Sequence, residues 1–236
     1  MNGRHERIAG ILGGMGPEAT VDLMQRIIRN TPASDDADHV RCLVDLNPKV
    51  PSRIKALIDG DGEDPAPAMI RMAQGLEASG ADFLAIACNT AHHYHGRVRD
   101  AVGIPVLDMV CLAVRAAKAR MPAGGSVVGI LASPAVRMVR LYEEAMRAEG
   151  LRPLYLDPPD EDRLFAVIKA VKQGDTGPAR RAELSDAVGS LQARGADVCL
   201  VACTELSALL EGEDDRIVDA AETLAREIVR KAKGGT

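Results

Sequence analysis

Gly80-Ala81-Asp82-Phe83-Leu84-Ala85-Ile86-Ala87-Cys88 and, half a chain later, Gly195-Ala196-Asp197-Val198-Cys199-Leu200-Val201-Ala202-Cys203 are two versions of one segment. Gly, Ala, Asp, Ala and Cys recur in register, and each copy is an apolar run of strand length closed by a cysteine. Ile8-Ala9-Gly10-Ile11-Leu12-Gly13 is echoed at nearly the same spacing by Val127-Val128-Gly129-Ile130-Leu131-Ala132. Repetition of this kind marks a duplicated unit, so the 236 residues divide into two pseudo-symmetric halves.

Working outward from the repeats, short apolar runs alternate with helical periodicity, the pattern of a mainly parallel sheet flanked by helices. Strands are expected near 7–13, 39–46, 82–87 and 104–107, with helices near 17–30, 65–79 and 90–101; Pro17 and Glu18 suit a helix start. The second half repeats the plan, with strands near 126–131, 152–156 and 197–202 and helices near 108–120, 134–149, 161–173, 178–193 and 219–233. The fold class is therefore α/β, in two units: residues 1–107 joined by a returning 214–236, and residues 108–213. The acidic run Glu211-Gly212-Glu213-Asp214-Asp215 marks the return. Open parallel sheets bind ligands beyond the carboxyl ends of their strands. Both cysteine segments end there; where the two units face each other across a cleft, the repeat places Cys88 and Cys203 on its opposite walls.

Composition narrows the partners. A net charge of −5 with scattered Lys and Arg forms no basic stripe, so neither nucleic acid nor an anionic membrane surface is expected. Aromatic residues at 2% and the absence of Trp remove stacking platforms for single-stranded nucleic acid. No apolar run approaches a bilayer span and no signal region opens the chain at Met1-Asn2-Gly3-Arg4-His5, so a cytoplasmic protein with a small-molecule ligand is expected. Five cysteines without close even spacing read as reduced thiols.

Cysteine acts as base or nucleophile in its thiolate form, which helix N-termini favour. Cys88 precedes Asn89-Thr90 and Cys203 precedes Thr204-Glu205, so each thiol is expected at a first helical turn, where exposed N–H groups also bind carboxylates. A thiolate on one face of a carbon and a thiol on the other can remove a proton from one side and return one on the opposite side, inverting a stereocentre.

Gly10-Ile11-Leu12-Gly13-Gly14-Met15-Gly16-Pro17-Glu18-Ala19-Thr20, Asn47-Pro48-Lys49-Val50-Pro51-Ser52-Arg53, Gly62-Glu63-Asp64-Pro65, Cys88-Asn89-Thr90-Ala91-His92 and Cys203-Thr204-Glu205 together resemble the aspartate/glutamate racemase family, over nearly the whole chain. The resemblance implies two flavodoxin-like domains and a cofactor-independent racemase acting on acidic amino acids, aspartate before glutamate, commonly as a homodimer. It implies that Cys88 and Cys203 are catalytic, that Asn89, Thr90 and Thr204 hold the substrate carboxylate, and that Met15 lines the cleft. Arg53 and Lys172 are then partners for carboxylates, with Lys169 one helical turn away as the competing lysine. One stretch departs from the family pattern. The turn after the second unit's first strand reads Ala132-Ser133-Pro134, in which Ser133 retains a hydroxyl and Pro134 lacks an N–H.

Plainer readings stand beside these. Cys42, Cys111 and Cys199 lie in apolar runs and read as small hydrophobes. His92-His93-Tyr94-His95 lacks strong zinc spacing, so no metal is expected; His92, one turn after Cys88, either tunes that thiol or is a plain helix-face residue. The glycines of 10–16 match no nucleotide fingerprint; they either admit a small ligand or make a tight turn. Arg53 could be solvated. Glu205 reads as a cap behind the thiol or a contact to the substrate ammonium, and Asp82 and Asp197 as structural turn residues. Competing functions are the related two-cysteine enzymes, such as hydantoin racemases or maleate isomerases, a non-catalytic amino-acid binding protein, and a thiol redox sensor.

Overall fold

The computed structural model describes residues 6–210 and 214–234. Residues 1–5 and the first part of the acidic run, 211–213, lie outside them. The first sheet has the order β2-β1-β3, from β1 (Ala9–Gly13), β2 (Cys42–Leu46) and β3 (Phe83–Ile86). The second has the order β5-β4-β6-β7, from β4 (Val127–Leu131), β5 (Arg152–Tyr155), β6 (Val198–Val201) and β7 (Ile217–Asp219). All pairings are parallel. The flanking helices are α1 (Pro17–Asn30), α2 (Ala66–Ala78), α3 (His95–Arg99), α4 (Met109–Ala119), α5 (Pro134–Met138), α6 (Glu143–Ala148), α7 (Pro158–Val171), α8 (Pro178–Ala193), α9 (Thr204–Ser207) and α10 (Ala220–Ala232).

The repeated residues do the same work in both halves. Gly80 and Gly195 both take φ 94°, ending α2 and α8 in a conformation that side chains resist. The Asp82 carboxylate then accepts the Ile8 N–H at 2.6 Å, while Asp197 accepts the Ser126 and Val127 N–H groups at 2.9 Å each. Both aspartates thus pin the start of one strand to the start of its neighbour, as their turn reading expects. A Cβ at Gly10 would fall 2.9 Å from that of Ala81, and one at Gly129 would fall 3.1 Å from that of Ala196, so the small residues of the motif let helix and strand close up.

One apolar cluster runs through both sheets, joining Ile11 and Phe83 to Ile130 and Leu200 by way of α4 and α10. Helix α10 packs on both α1 and α4. At its N-terminus Arg26 of α1 is buried among Asp22, Asp219 and Glu222.

The structure departs from the sequence reading in four places. Segment 104–107 makes a single bridge, Val106 to Leu84, because Pro105 has no N–H with which to extend a ladder. The helix expected over 90–101 divides into a 3-10 turn, Thr90–Tyr94, and α3. The one expected over 134–149 divides into α5 and α6, with Arg140 at φ 53° between them. That turn buries Tyr142 completely. Strand β7 was not expected; three residues carry too short a pattern to register. Among the described residues no helix is long and apolar enough to cross a membrane.

Candidate active site

Cys88 follows β3 and Cys203 follows β6, strands that lie beside the central strands β1 and β4 of their sheets. The duplication therefore carries each thiol to the carboxyl end of an equivalent strand. Both are 6% exposed. They line one cavity together with Met15, Arg53, Asn89, Thr90, Ser133, Lys172, Thr204 and Glu205, so all ten residues singled out by sequence meet there. Ile54, Phe165 and Ile168 complete the wall; sequence reading missed them because an apolar residue on a helix looks like core. The enclosed volume is ≈ 30 Å³. That is room for a water molecule and too little for an amino acid, which the cavity could hold only with its walls parted.

The two walls touch through polar groups. Thr90 Oγ1 and Ser133 Oγ lie 3.3 Å apart, so the serine of the divergent turn faces the first unit across the cleft. Pro134, after it, is the first residue of α5, where an N–H has no helical partner in any case.

Glu205 organises the Cys203 side. It is buried, accepts the Cys203 thiol on Oε2 at 3.2 Å, and holds Lys172 Nζ 3.3 Å from Oε1. Burial pushes the Cys203 thiol well above its usual range, and Glu205 pushes it the same way; Lys172 and the Leu206 N–H pull against them. Burial lowers the Lys172 ammonium, yet Glu205, Cys88 and Cys203 together leave it raised. Its side chain is 42% exposed, so it closes the cavity from outside. Lys169 instead lies 4.2 Å over the Phe165 ring, away from the thiols.

The terminal nitrogens of Arg53 bond to backbone, while its Nε is buried without a partner. Its Nη1 donates to the Pro51 carbonyl at 2.9 Å and the Val50 carbonyl at 3.3 Å, and its Nη2 to the Met15 carbonyl at 3.0 Å. It braces the Met15 loop against residues 50–53 from the cavity edge. Gly14, at φ 85°, lies where a Cβ would come 2.4 Å from the Asn47 backbone, the tight-turn reading of the glycine run.

His92 is a structural pin. The Met109 N–H donates to Nε2 at 3.2 Å, so Nδ1 bears the proton and donates to the Cys88 carbonyl at 2.8 Å. Burial lowers its pKa to about 4, with His95 adding to the shift and the Cys88 bond opposing it. The unfolded chain then binds the proton that the fold refuses between about 6.5 and 4, so stability rises with pH in that window and is lost as pH falls through it. The stability difference between the wild type and His92→Gln should accordingly shrink by about 3 kcal/mol from pH 7 to pH 4 in urea unfolding. A pH-independent difference would contradict the buried neutral imidazole.

Cys42, Cys111 and Cys199 are free thiols raised to about 11, chiefly by burial, and none lines the cavity. Among the described residues no His, Cys, Asp and Glu group could hold a metal ion.

Comparison with known proteins fits this arrangement. Residues 12–228 match the family model described as Asp/Glu/Hydantoin racemase, and the chain belongs to that family. It is 27% identical over 228 residues to a protein of Bacillus subtilis (strain 168) named broad specificity amino-acid racemase RacX, covering 93% of this chain and 96% of that one. Its fold is similar to that of the Picrophilus torridus aspartate racemase, with a TM-score of 0.85 and 28% identity, covering 96% of this chain and 94% of the other. Glutamate racemase isoform RacE1 from Bacillus anthracis, at 19% identity and a TM-score of 0.67, covers 98% of this chain, is covered over 84% of its own, and shares the fold. The two sheets flanked by helices are the two-domain flavodoxin-like fold of these racemases.

Proposed function

We propose that this protein is an amino-acid racemase that works without pyridoxal phosphate, using Cys88 and Cys203 as its two bases and acidic amino acids as substrates, aspartate first and glutamate next. The observation that carries the reading is the meeting of two strand-end thiols from equivalent strands in one buried cavity. In one direction the Cys88 thiolate takes the α-proton, the C–H electron pair passes into the α-carboxylate as an enediolate, and the Cys203 thiol returns a proton to the other face. Cys203 is left as a thiolate beside the Lys172 ammonium, and the reverse reaction starts from that state. The α-proton is a weak acid, so donors fixed in a site closed to water must stabilise the enediolate.

The hydrogen bond to Glu205 favours Cys203 as the thiol in the resting protein, which makes Cys88 the first base. Glu205→Gln removes one of the two influences that raise the thiol and leaves the larger, burial. Cys203 therefore stays a thiol near neutral pH, where kcat should change little. The alkaline limb of the pH–rate profile should move to lower pH; a profile that stays in place would contradict this role for Glu205.

A broader substrate range is a second reading, favoured by Arg53, whose terminal nitrogens already serve three backbone carbonyls, and by the apolar wall of Ile54, Phe165 and Ile168. The relative named for broad specificity points the same way. Chiral chromatography after incubating the reduced protein with each enantiomer of aspartate, glutamate, lysine and leucine separates the two: inversion of the acidic pairs alone supports the first reading, and inversion of all four supports the second. Inversion of none would contradict both.

A further inference from the structure

We infer that Tyr142 is a positioning residue for the cleft: its hydroxyl fixes the orientation of the Asn89 carboxamide so that the amide's N–H groups, and not its oxygen, serve the cavity. The catalytic meaning of this rests on the racemase reading above. Tyr142 comes from the second unit, delivered inward by the turn at Arg140 to the start of α6, and its side chain is 0% exposed. Asn89 comes from the first unit, directly after Cys88, and is 2% exposed. The Tyr142 hydroxyl donates to Asn89 Oδ1. Asn89 lines the cavity and Tyr142 does not, so the tyrosine supports the amide from behind.

A carboxamide has one accepting end and one donating end. With Oδ1 held by the phenol proton, the donating end is left over, and Asn89 Nδ2 is a buried atom with no hydrogen-bond partner. An unpaired buried N–H group beside two thiols suits a carboxylate or enediolate oxygen, whose negative charge would pair it. The flipped amide would present an oxygen to that anion and leave the phenol proton unpaired, since the Tyr142 hydroxyl has no other hydrogen-bond partner among the described residues. Burial drives the phenol well above its usual range, so the group remains a donor throughout the working pH. Because the two residues belong to different units, the donor is set only when the cleft walls are docked.

Tyr142→Phe keeps the ring and removes the proton. Racemisation kinetics of the wild type, Tyr142→Phe, Asn89→Ala and the double variant test the role. Tyr142→Phe is expected to lower kcat/KM for aspartate about tenfold in the wild-type background and to change it less than twofold in the Asn89→Ala background. An equal loss in both backgrounds would assign Tyr142 to packing and overturn the inference, as would unchanged kcat/KM in the single variant. The bond can also be read without turnover, from the Asn89 side-chain resonances of protein labelled with [15N]asparagine, identified by their loss in Asn89→Ala. They should move or double in Tyr142→Phe, and resonances left in place overturn the inference. A wild type that racemises nothing removes the proposed function and leaves this spectroscopic test intact.

Discussion

Cys203→Ser is expected to abolish racemisation in both directions, and Cys88→Ser to do the same. Serine keeps the shape of the site but its hydroxyl is far too weak an acid to give up or take back the α-proton at the rate a thiol can, and loss of one general acid–base group costs about 10²–10⁴-fold. The two variants should differ in what survives. A lone Cys88 can still wash the α-proton of one enantiomer into solvent from its own face, and a lone Cys203 that of the other. Deuterium uptake into the starting enantiomer, followed alongside chiral chromatography, therefore tells which thiol serves which hand. The double variant should show neither inversion nor exchange, and an active double variant would remove the assignment of both cysteines.

Arg26→Ala should be strongly destabilising although Arg26 lies outside the cleft. Arg26 is 7% exposed, with Asp22 at 2.6 Å, Asp219 at 2.7 Å and Glu222 at 3.1 Å, and its Nη2 donates to the Ser207 carbonyl at 2.8 Å. Burial alone would lower its pKa, but Asp219, Asp22 and Glu222 hold it raised, so the charge persists. Removing it leaves Asp22 and Asp219 without their cation, although Glu222 keeps Arg226 and Asn30; Asp219 also caps α10 through the Ala221 N–H. Breaking a buried pair in this way costs about 3–5 kcal/mol, or about 6–20 °C in Tm for a chain of this size. Burial already holds the Asp219 carboxyl above its usual range, so without Arg26 the deficit should narrow as pH falls and that group takes up a proton. Activity should fall as well. Ser207, held by Arg26 through its carbonyl and by Asp219 through its hydroxyl at 2.6 Å, belongs to the turn whose first residue is Thr204, next to Cys203. A loss below 1 kcal/mol in urea unfolding, with m unchanged, would show that the network is solvated and adds little.

The sequence carried the parts of this protein that are written locally. The repeated Gly-Ala-Asp and its terminal cysteine placed β3, β6 and both thiols, and the residues just after each cysteine placed Asn89, Thr90, Thr204 and Glu205 around the same cavity. Groups that act across the chain were harder to see. Tyr142 reaches Asn89 only because the helix breaks at Arg140, and Val139-Arg140-Leu141 contains neither Gly nor Pro to announce the break. His92 was known to lie a turn from Cys88, but its choice of the backbone carbonyl depends on the approach of Met109 from another helix. Arg53 reads from sequence as a carboxylate partner or a solvated residue; it lines the cavity, and the backbone carbonyls its terminal nitrogens also serve come largely from its own loop, which no pattern of residue types announces. Arg26 did leave a signal: it lies three residues after Leu23 and one before Ile27, on the buried face of α1, where an unpaired charge would not be tolerated.

The most direct test of two-face proton transfer is proton NMR in D₂O on the reduced enzyme, without pyridoxal phosphate, started from one pure enantiomer of aspartate and read early in the reaction. Two opposed thiols predict that product of the opposite hand carries deuterium at Cα while the remaining substrate still carries its proton. Deuterium in both enantiomers from the outset, or product that keeps the original proton, would mean a single base acting on both faces and would contradict the account.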